Sequence, residues 1–273
     1  MAYQHWHIDD IPWQNFVADK VAPDHLRLVK AAALVEYNGR DYAAYLGNVF
    51  AGNAEIQAAA HSWALEEVQH GATLGRWAQI ADPAFDFPTA VARFRAGYHL
   101  NIHAVESVRG SRSGELLARC IVETGTSSYY TALGEATQEP VLKAICHKIT
   151  ADEFRHYKMF YDYLRHYLDL ESLNRFERLK IGIGRARESE DDELAYAYYA
   201  ANAAPDATYD RARYSREYLG RAYQFYRPHH VKRGVGMIFK ACGLKPHTPM
   251  QGVVNHVVWW LIRNKTRKLA RAA

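Results

Sequence analysis

Glu-x-x-His occurs twice in this chain, as Glu67-Val68-Gln69-His70 and as Glu153-Phe154-Arg155-His156. Each copy has a lone glutamate upstream at nearly the same interval: Glu36 stands 31 positions before Glu67, and Glu123 stands 30 before Glu153. The pattern reads as one unit written twice: a helix with one carboxylate, a turn, then a helix with a carboxylate and an imidazole on one face. Residues three apart on a helix are side-by-side neighbours, so each Glu-His pair can grip one ion together. Four carboxylates and two imidazoles converging inside a helical bundle make the donor set of a dinuclear metal centre. Two divalent cations would balance four glutamates, which explains how six polar groups can point inward.

The neighbours of these residues at helical spacing are apolar. Trp63, Leu74 and Trp77 flank the first pair, Ile149, Phe160 and Tyr163 the second, and Val29, Ala32, Ala33 and Ala43 surround Glu36. A carboxylate on such a face is buried, and a buried charge without a partner is strongly unfavourable. One Glu-x-x-His is what an exposed helix can carry by chance; two copies with matched upstream glutamates and apolar faces are not explained that way. Glu66 and Asp152 directly precede the two motif glutamates. A metal-bound imidazole gives its other N–H to a carboxylate. The pseudo-symmetry of the two units therefore pairs Asp152 with His70 and Glu66 with His156.

The scaffold that positions these groups is helical. The chain has 273 residues, 49% of them hydrophobic, enough for a large core in a single helical domain over 1–273. Residues 24–50 are expected to form the first helix, with Asp24 as its cap, and 53–80 the second, ending at the turn around Pro83 and Pro88. A crossover helix over 89–110 follows, then helices over 113–137 and 140–169, the last starting on Pro140, a favoured first position. The fold class is all-α: a four-helix bundle over about 24–170, its ligand-bearing helices being the first, second, fourth and fifth, with additional C-terminal helices over about 171–273. No segment shows the alternation of an exposed strand. His99, His103 and Glu106 share the spacing of a helix face but lack a fourth partner, and read as surface groups. The acidic run Glu188-Ser-Glu-Asp-Asp-Glu193 reads as a solvated helix boundary. The last hundred residues read as helices packed on the bundle without a ligand set of their own.

Other classes are excluded. Cys120, Cys146 and Cys242 are far apart and form no CxxC, against a disulfide framework or a thiolate metal site. The opening MAYQHWHIDD has neither a basic start nor an apolar run. No stretch reaches the roughly 20 apolar residues of a membrane span, Val253 to Ile262 coming nearest. The expectation is a cytoplasmic protein with no transmembrane segment. A net charge of +4 does not by itself imply a nucleic-acid partner.

These residues resemble the soluble acyl-ACP desaturases (ACP, acyl carrier protein), within the ferritin-like di-iron carboxylate proteins. The stretch from Trp63 to Gly71, Trp-Ala-Leu-Glu-Glu-Val-Gln-His-Gly, is similar to that family's Trp…Glu-Glu-x-Arg-His-Gly helix. Ala151-Asp-Glu-Phe-Arg-His156 is similar to its Ala-Asp-Glu-x-Arg-His, and Glu123-Thr-Gly-Thr126 to its Glu-x-x-Thr. The resemblance covers roughly residues 30–165. It implies a ferritin-like, homodimeric enzyme that uses O2 and two external electrons to oxidise an unactivated C–H bond of a carrier-bound acyl chain. It carries over Glu36, Glu67, His70, Glu123, Glu153 and His156 as ligands of two Fe ions, and Thr126 as a hydroxyl beside them that relays protons. Gln69 departs from the family's arginine, which weakens one contact behind the ligands.

The same six ligands would equally serve another di-iron oxygenase, a hydroxylase or N-oxygenase acting on a compact substrate, or a ferroxidase or peroxidase. A complete second Glu-x-x-His fits oxygen activation better than iron storage. There is no CxxC iron domain of a rubrerythrin-like peroxidase, and Leu74 stands where the ribonucleotide reductase small subunit has a tyrosine. An Mn/Fe pair satisfies the same donors. With neither CxxC nor a glycine fingerprint for a flavin or nicotinamide, reducing equivalents must arrive from a separate protein, which the resemblance implies is of the ferredoxin type, with Trp13, Trp63 and Trp77 as candidate conduits. The five cations Arg263, Lys265, Arg267, Lys268 and Arg271 near the C-terminus could dock an acidic carrier protein or an anionic surface.

Overall fold

In the computed structural model, residues 5–188 and 192–272 are described. Eleven α-helices and no strand occur among them, so the fold is an all-α bundle. Four long helices hold the two motif units: α1 (Pro23–Tyr37), α3 (Ala54–Ala81), α5 (Arg112–Ala136) and α6 (Pro140–Leu170). Each starts where the sequence supplies a start signal. Pro23 and Pro140 occupy first helical positions, the Asn53 side chain accepts from Ile56 N at 3.2 Å, and Ser111 Oγ accepts from Gly114 N at 3.0 Å. Buried Glu139 caps α6 by accepting from Leu142 N at 2.7 Å, and also accepts from Trp77 Nε1 at 2.7 Å and Val17 N at 3.1 Å. That single carboxylate pins α6, α3 and the N-terminal segment together.

The expected first helix, 24–50, is two helices. Chain direction breaks at Asn38, and α2 (Gly39–Val49) follows. The cause is close packing against α3. A Cβ on Gly39 would lie 2.6 Å from Glu67 Cβ, and one on Gly71 would lie 2.4 Å from Tyr37 N. Backbone meets backbone there, which one uninterrupted helix of ordinary side chains could not do. Nor does Asp24 cap α1: the cap position is Ala22, and Asp24 lies within the first turn, where Arg221 Nε donates to it at 2.9 Å.

The contacts at Gly39 and Gly71 run α1 and α2 antiparallel to α3. Gly134 against Cys146, and Thr126 against Glu153, do the same for α5 and α6. Two helical hairpins thus face one another, with α3 against α6. Two apolar clusters fill them. One joins Leu28 to Leu34, Leu74, Trp77, Tyr130 and Ile149; the other joins Tyr45 to Phe50, Ile56, Trp63, Leu116, Leu117 and Phe160. The six motif residues lie in the layer between the clusters, as their positions along the four helices require.

The crossover is only partly helical. α4 (Phe87–Gly97) ends thirteen residues short of the expected 110, and 98–111 is irregular, crossing the outside of α2 with Asn48 Nδ2 donating to Ile102 O at 2.6 Å. His99, His103 and Glu106 therefore share no helix face; all three are exposed. Beyond α6 come α7 (Arg175–Glu188), α8 (Asp192–Asn202), α9 (Arg211–Ala222), α10 (Pro228–Ala241) and α11 (Pro249–Ala272). α8 and α9 lie on α1, α7 and α10 lie on α5, and α11 packs on α10. No helix among the described residues is long and apolar enough to cross a membrane.

Because Gly71 meets backbone, Gly71→Ala is expected to destabilise the fold by about 1–3 kcal/mol, the usual cost of overpacking. Gly47→Ala, with nothing within 4 Å of its added carbon, should be neutral or gain about 0.5–1 kcal/mol inside α2. Equal denaturant midpoints for the two variants would contradict this account of the α1–α3 crossing.

Candidate metal centre

Glu36 from α1, Glu67 and His70 from α3, Glu123 from α5, and Glu153 and His156 from α6 come together in the layer between the apolar clusters. All six are buried; His70 is 0% exposed, Glu123 and Glu153 1% each. Their inward atoms form two groups, each within 4.8 Å: Glu36, Glu67, His70 and Glu153, then Glu67, Glu123, Glu153 and His156. Glu67 and Glu153 belong to both, so they stand between the two groups as bridging carboxylates would. His70 Nδ1 is 3.4 Å from Glu153 Oε1 and 3.8 Å from Glu36 Oε2; His156 Nδ1 is 3.0 Å from Glu67 Oε1 and 3.7 Å from Glu123 Oε2.

Both imidazoles turn Nδ1 inward and Nε2 outward. His70 Nε2 lies 3.0 Å from Asp152 Oδ2, and His156 Nε2 lies 3.1 Å from Glu66 Oε2, the cross-pairing that the repeated unit implies. A ring that donates from Nε2 presents a neutral lone pair at Nδ1, the form a metal takes. Arg155 donates from one nitrogen to both outer carboxylates, to Glu66 Oε2 at 2.9 Å and to Asp152 Oδ1. Gln69, the counterpart of Arg155 in the first unit, does something different: its Nε2 donates to Trp6 O at 2.9 Å. The departure at position 69 leaves Arg155 to join the two outer carboxylates and uses the glutamine to fasten the N-terminal segment.

The donor chemistry fits divalent cations. Glu67 Oε1, Glu123 Oε1, Glu153 Oε1, His70 Nδ1 and His156 Nδ1 are buried, turned inward and without a hydrogen bond. Buried polar atoms are nearly always satisfied, so five such atoms around one centre are a group that could hold an ion. Protons compensate the charge otherwise. Burial and then the adjacent Glu67 carboxylate push Glu36 up to about 8, burial raises Glu123 as well, and the surrounding carboxylates hold both imidazoles well above their ordinary value despite burial. Cations would displace those protons.

Around this core, Tyr130 Oη donates to Glu36 Oε1 at 2.5 Å, and Thr126 Oγ1 touches Glu153 Oε2 while also lying 3.3 Å from Glu123 O. Thr126 thus adjoins both the carboxylates and open space. A cavity of about 600 Å³ begins at Glu36 and Thr126 and is walled by α1, α2, α5, α7, α8, α9 and the segment 98–111. The C-terminal helices, read from sequence as mere packing, form one of its sides. Glu193, expected within a solvated run, turns into this cavity, where Tyr42 Oη donates to it at 2.7 Å. Burial raises its carboxyl above the usual range, against the opposing pull of the Tyr42 hydrogen bond. Residues 189–191 of that run lie outside the described residues.

Of the expected tryptophans, Trp63 stands edge-on to His156 at 6.4 Å, but Trp77 binds Glu139, and Trp13 stacks on Arg76 with Nε1 donating to Ile8 O. The tryptophan that sequence reasoning passed over is Trp6. Its ring stacks on His70 at 5.9 Å and 6°, and Nε1 donates to Asp152 Oδ2 at 2.7 Å. A buried indole in a polar leader was the available signal. The C-terminal region also contributes to a third group, Glu135 with His229 and His230. There Arg227 N donates to His230 Nδ1 at 3.0 Å, so the ring's proton sits on Nε2 and is donated to Glu135 Oε2 at 3.0 Å. That geometry makes it a clasp between α5 and α10; an ion at Nε2 would demand an imidazolate.

No protein-family model and no curated protein matches this chain.

The two overlapping groups predict two divalent cations per chain. Glu36→Ala should retain one, whereas Glu153→Ala should lose firm hold of both, as read by metal analysis of desalted protein. Two tightly held cations in Glu153→Ala would overturn the bridging assignment. Asp152→Asn should weaken binding by about 10–100-fold, the usual effect of losing an outer carboxylate, and more at the His70 group than at the His156 group.

Proposed function

We propose that this chain is a dinuclear metal oxidoreductase that uses O2 and two external electrons to oxidise a compact organic substrate, as a hydroxylase or N-oxygenase does. The observation that carries this reading is the pairing of a carboxylate-bridged donor set with a cavity that opens directly onto it at Glu36 and Thr126. Glu36, Glu67, His70, Glu123, Glu153 and His156 would hold two Fe ions, or an Mn/Fe pair. Bound there, the metals supply the redox equivalents and the Lewis acidity for reducing O2. An iron-storage site would need no substrate-sized chamber.

This chain's own groups serve that chemistry in distinct ways. Asp152 and Glu66 fix the tautomers of His70 and His156, and Arg155 fixes both carboxylates. Tyr130 orients Glu36 by its hydrogen bond. The Thr126 hydroxyl, in contact with Glu153 and facing the cavity, can pass a proton between the substrate side and the carboxylates. Trp6, hydrogen-bonded through Asp152 to His70, offers a connected path for electrons from a ferredoxin-type donor. The apolar layers above and below exclude water from the centre.

The motif resemblance favours an acyl chain on a carrier protein, but the cavity favours a smaller guest. Arg109, Arg119, Arg185, Glu115 and Glu193 line it. Pressing a hydrocarbon tail against guanidinium groups would strip their water without replacing it.

Fe(II)-loaded protein supplied with O2 but no reductase should complete about one two-electron turnover per chain and stop, and a ferredoxin with its reductase should restart it. Oxidation of many equivalents of Fe(II), with growth of a mineral core, would establish a ferroxidase in its place.

A further inference from the structure

Charge is distributed unevenly along this chain. Residues 218–273 hold eleven lysines and arginines and neither aspartate nor glutamate, so with a net charge of +4 overall the first 217 residues sum to −7. Acids from elsewhere compensate little of this. Among the described residues, Asp24 reaches Arg221, and Glu135 reaches His229 and His230. Lys232, Lys240, Lys245, Arg263, Arg267 and Lys268 are exposed, with no ion pair among the described residues. A groove of about 430 Å³ between α6 and α10 runs to the α10–α11 turn at His247. Lys232, Arg233 and Lys240 line it and no acid does, and Arg233 Nε and Nη2 make no hydrogen bond. Glu135 acts on Arg233 from a distance, but both histidines already engage it.

α11 adds a second, independent feature. One of its faces packs on α10, where Val254, Val258, Trp259 and Ile262 meet Val231, Val235 and Phe239. A different face is apolar too, yet uncovered: Met250, Val253, Val257, Trp260 and Leu261 are 50–64% exposed. Steps of three and four residues align them along the helix, and Asn264, Arg267 and Lys268 continue the same line. The stripe therefore passes from apolar to basic along one side of α11. Its apolar part, twelve residues from Met250 to Leu261, rises about 18 Å, well short of the roughly 30 Å of bilayer hydrocarbon. A helix of that kind lies in the plane of a membrane interface, with apolar chains inserted and long cations reaching the headgroups.

We propose that α11 and the groove beside it dock this protein on an anionic lipid bilayer, with Val257, Trp260 and Leu261 entering the interface while Arg263, Arg267, Lys268 and the groove cations meet lipid phosphates. Indole rings favour that depth, and each cation near an anionic surface adds about fivefold in affinity. A second copy of the chain fits poorly, because two-fold pairing sets a surface against itself and here sets cations on cations. An acidic protein would satisfy the cations, but the convex stripe would then need a matched groove in the partner; a fluid interface admits it in any register. Docking of this kind does not depend on what the centre of the bundle holds.

The test is flotation of the full chain with vesicles of phosphatidylcholine alone, and of phosphatidylcholine containing about one-third phosphatidylglycerol. Binding to the anionic vesicles should be about tenfold or more tighter than to the neutral ones, and should weaken as NaCl rises from about 0.05 to about 0.5 M. Trp260→Ser combined with Leu261→Ser should weaken it by about tenfold or more, and Arg267→Gln combined with Lys268→Gln by a similar factor. All four side chains are exposed, and an unchanged helical circular-dichroism spectrum checks that the fold survives. Val105→Ser, at an equally exposed apolar residue of the segment 98–111, should change nothing. No binding to anionic vesicles, or equal binding to both kinds, would overturn the proposal on the unmutated protein alone. Polyaspartate bound as tightly as the vesicles, undiminished by the Trp260 and Leu261 changes, would overturn it in favour of an acidic protein partner. A dimer in sedimentation velocity that the same changes disperse would overturn it in favour of a second copy.

Discussion

Placing four carboxylates between two layers of hydrocarbon is the constraint that organises this molecule. Charge in such a layer must be neutralised, by protons or by cations. Everything close to the six inward residues answers that demand. The imidazoles present one nitrogen to the carboxylates and anchor the other on Asp152 and Glu66. Arg155 then balances those two acids from farther out. Polarity therefore decreases outward in ordered shells, and the apolar clusters on either side confine it to one plane. A helix pair alone could not do this; two antiparallel hairpins, each giving one glutamate from one helix and a Glu-His pair from the other, can.

The C-terminal helices change what the bundle can do. Four helices around a charged layer would present the layer's edge to solvent between α1 and α5. α8 and α9 on one side and α7 on the other enclose that edge as a chamber, with side chains of both signs on its walls. Stability and access are separated by this arrangement. The hairpins carry the six inward residues on long helices, while the added helices shape the space beside them. The break at Asn38 contributes too: by letting α2 diverge from α1, it places Tyr42 and Tyr45 in the wall, where one continuous helix would have directed them elsewhere.

What was legible in the sequence was whatever depends on local periodicity. Spacing placed the four long helices and their inward residues, because a glutamate amid apolar neighbours at intervals of three and four has one face to occupy. The pairing of Asp152 with His70 and of Glu66 with His156 followed from symmetry alone. What stayed hidden depends on contacts between distant segments. The interruption at Asn38 exists because Gly39 and Gly71 allow backbones to touch, and no local pattern encodes the partner. The irregular run 98–111 has enough helical spacing to mislead, yet its side chains are held by α2 and α5 instead. Glu193 sits in a charged run whose composition suggests solvent, but α8 turns it toward Tyr42. Arg119 was within reach: it stands four residues before Glu123 on α5, the spacing that puts two side chains on neighbouring ground of one helix.

The N-terminal segment closes the His70 side of the centre, with Trp6 and Ile11 buried in the apolar cluster there. It consists of short 3-10 turns, held by Trp6 on Asp152, by Gln69 on the Trp6 carbonyl, and by Val17 on Glu139. A segment packed on a core from one side can open locally at less than the free energy of global unfolding. Opening of this segment alone would expose the outer face of His70 with the bundle intact. Ions held at the first group would then exchange past a short peptide strap, and the two halves of a nearly symmetric centre would differ in how quickly they fill and empty.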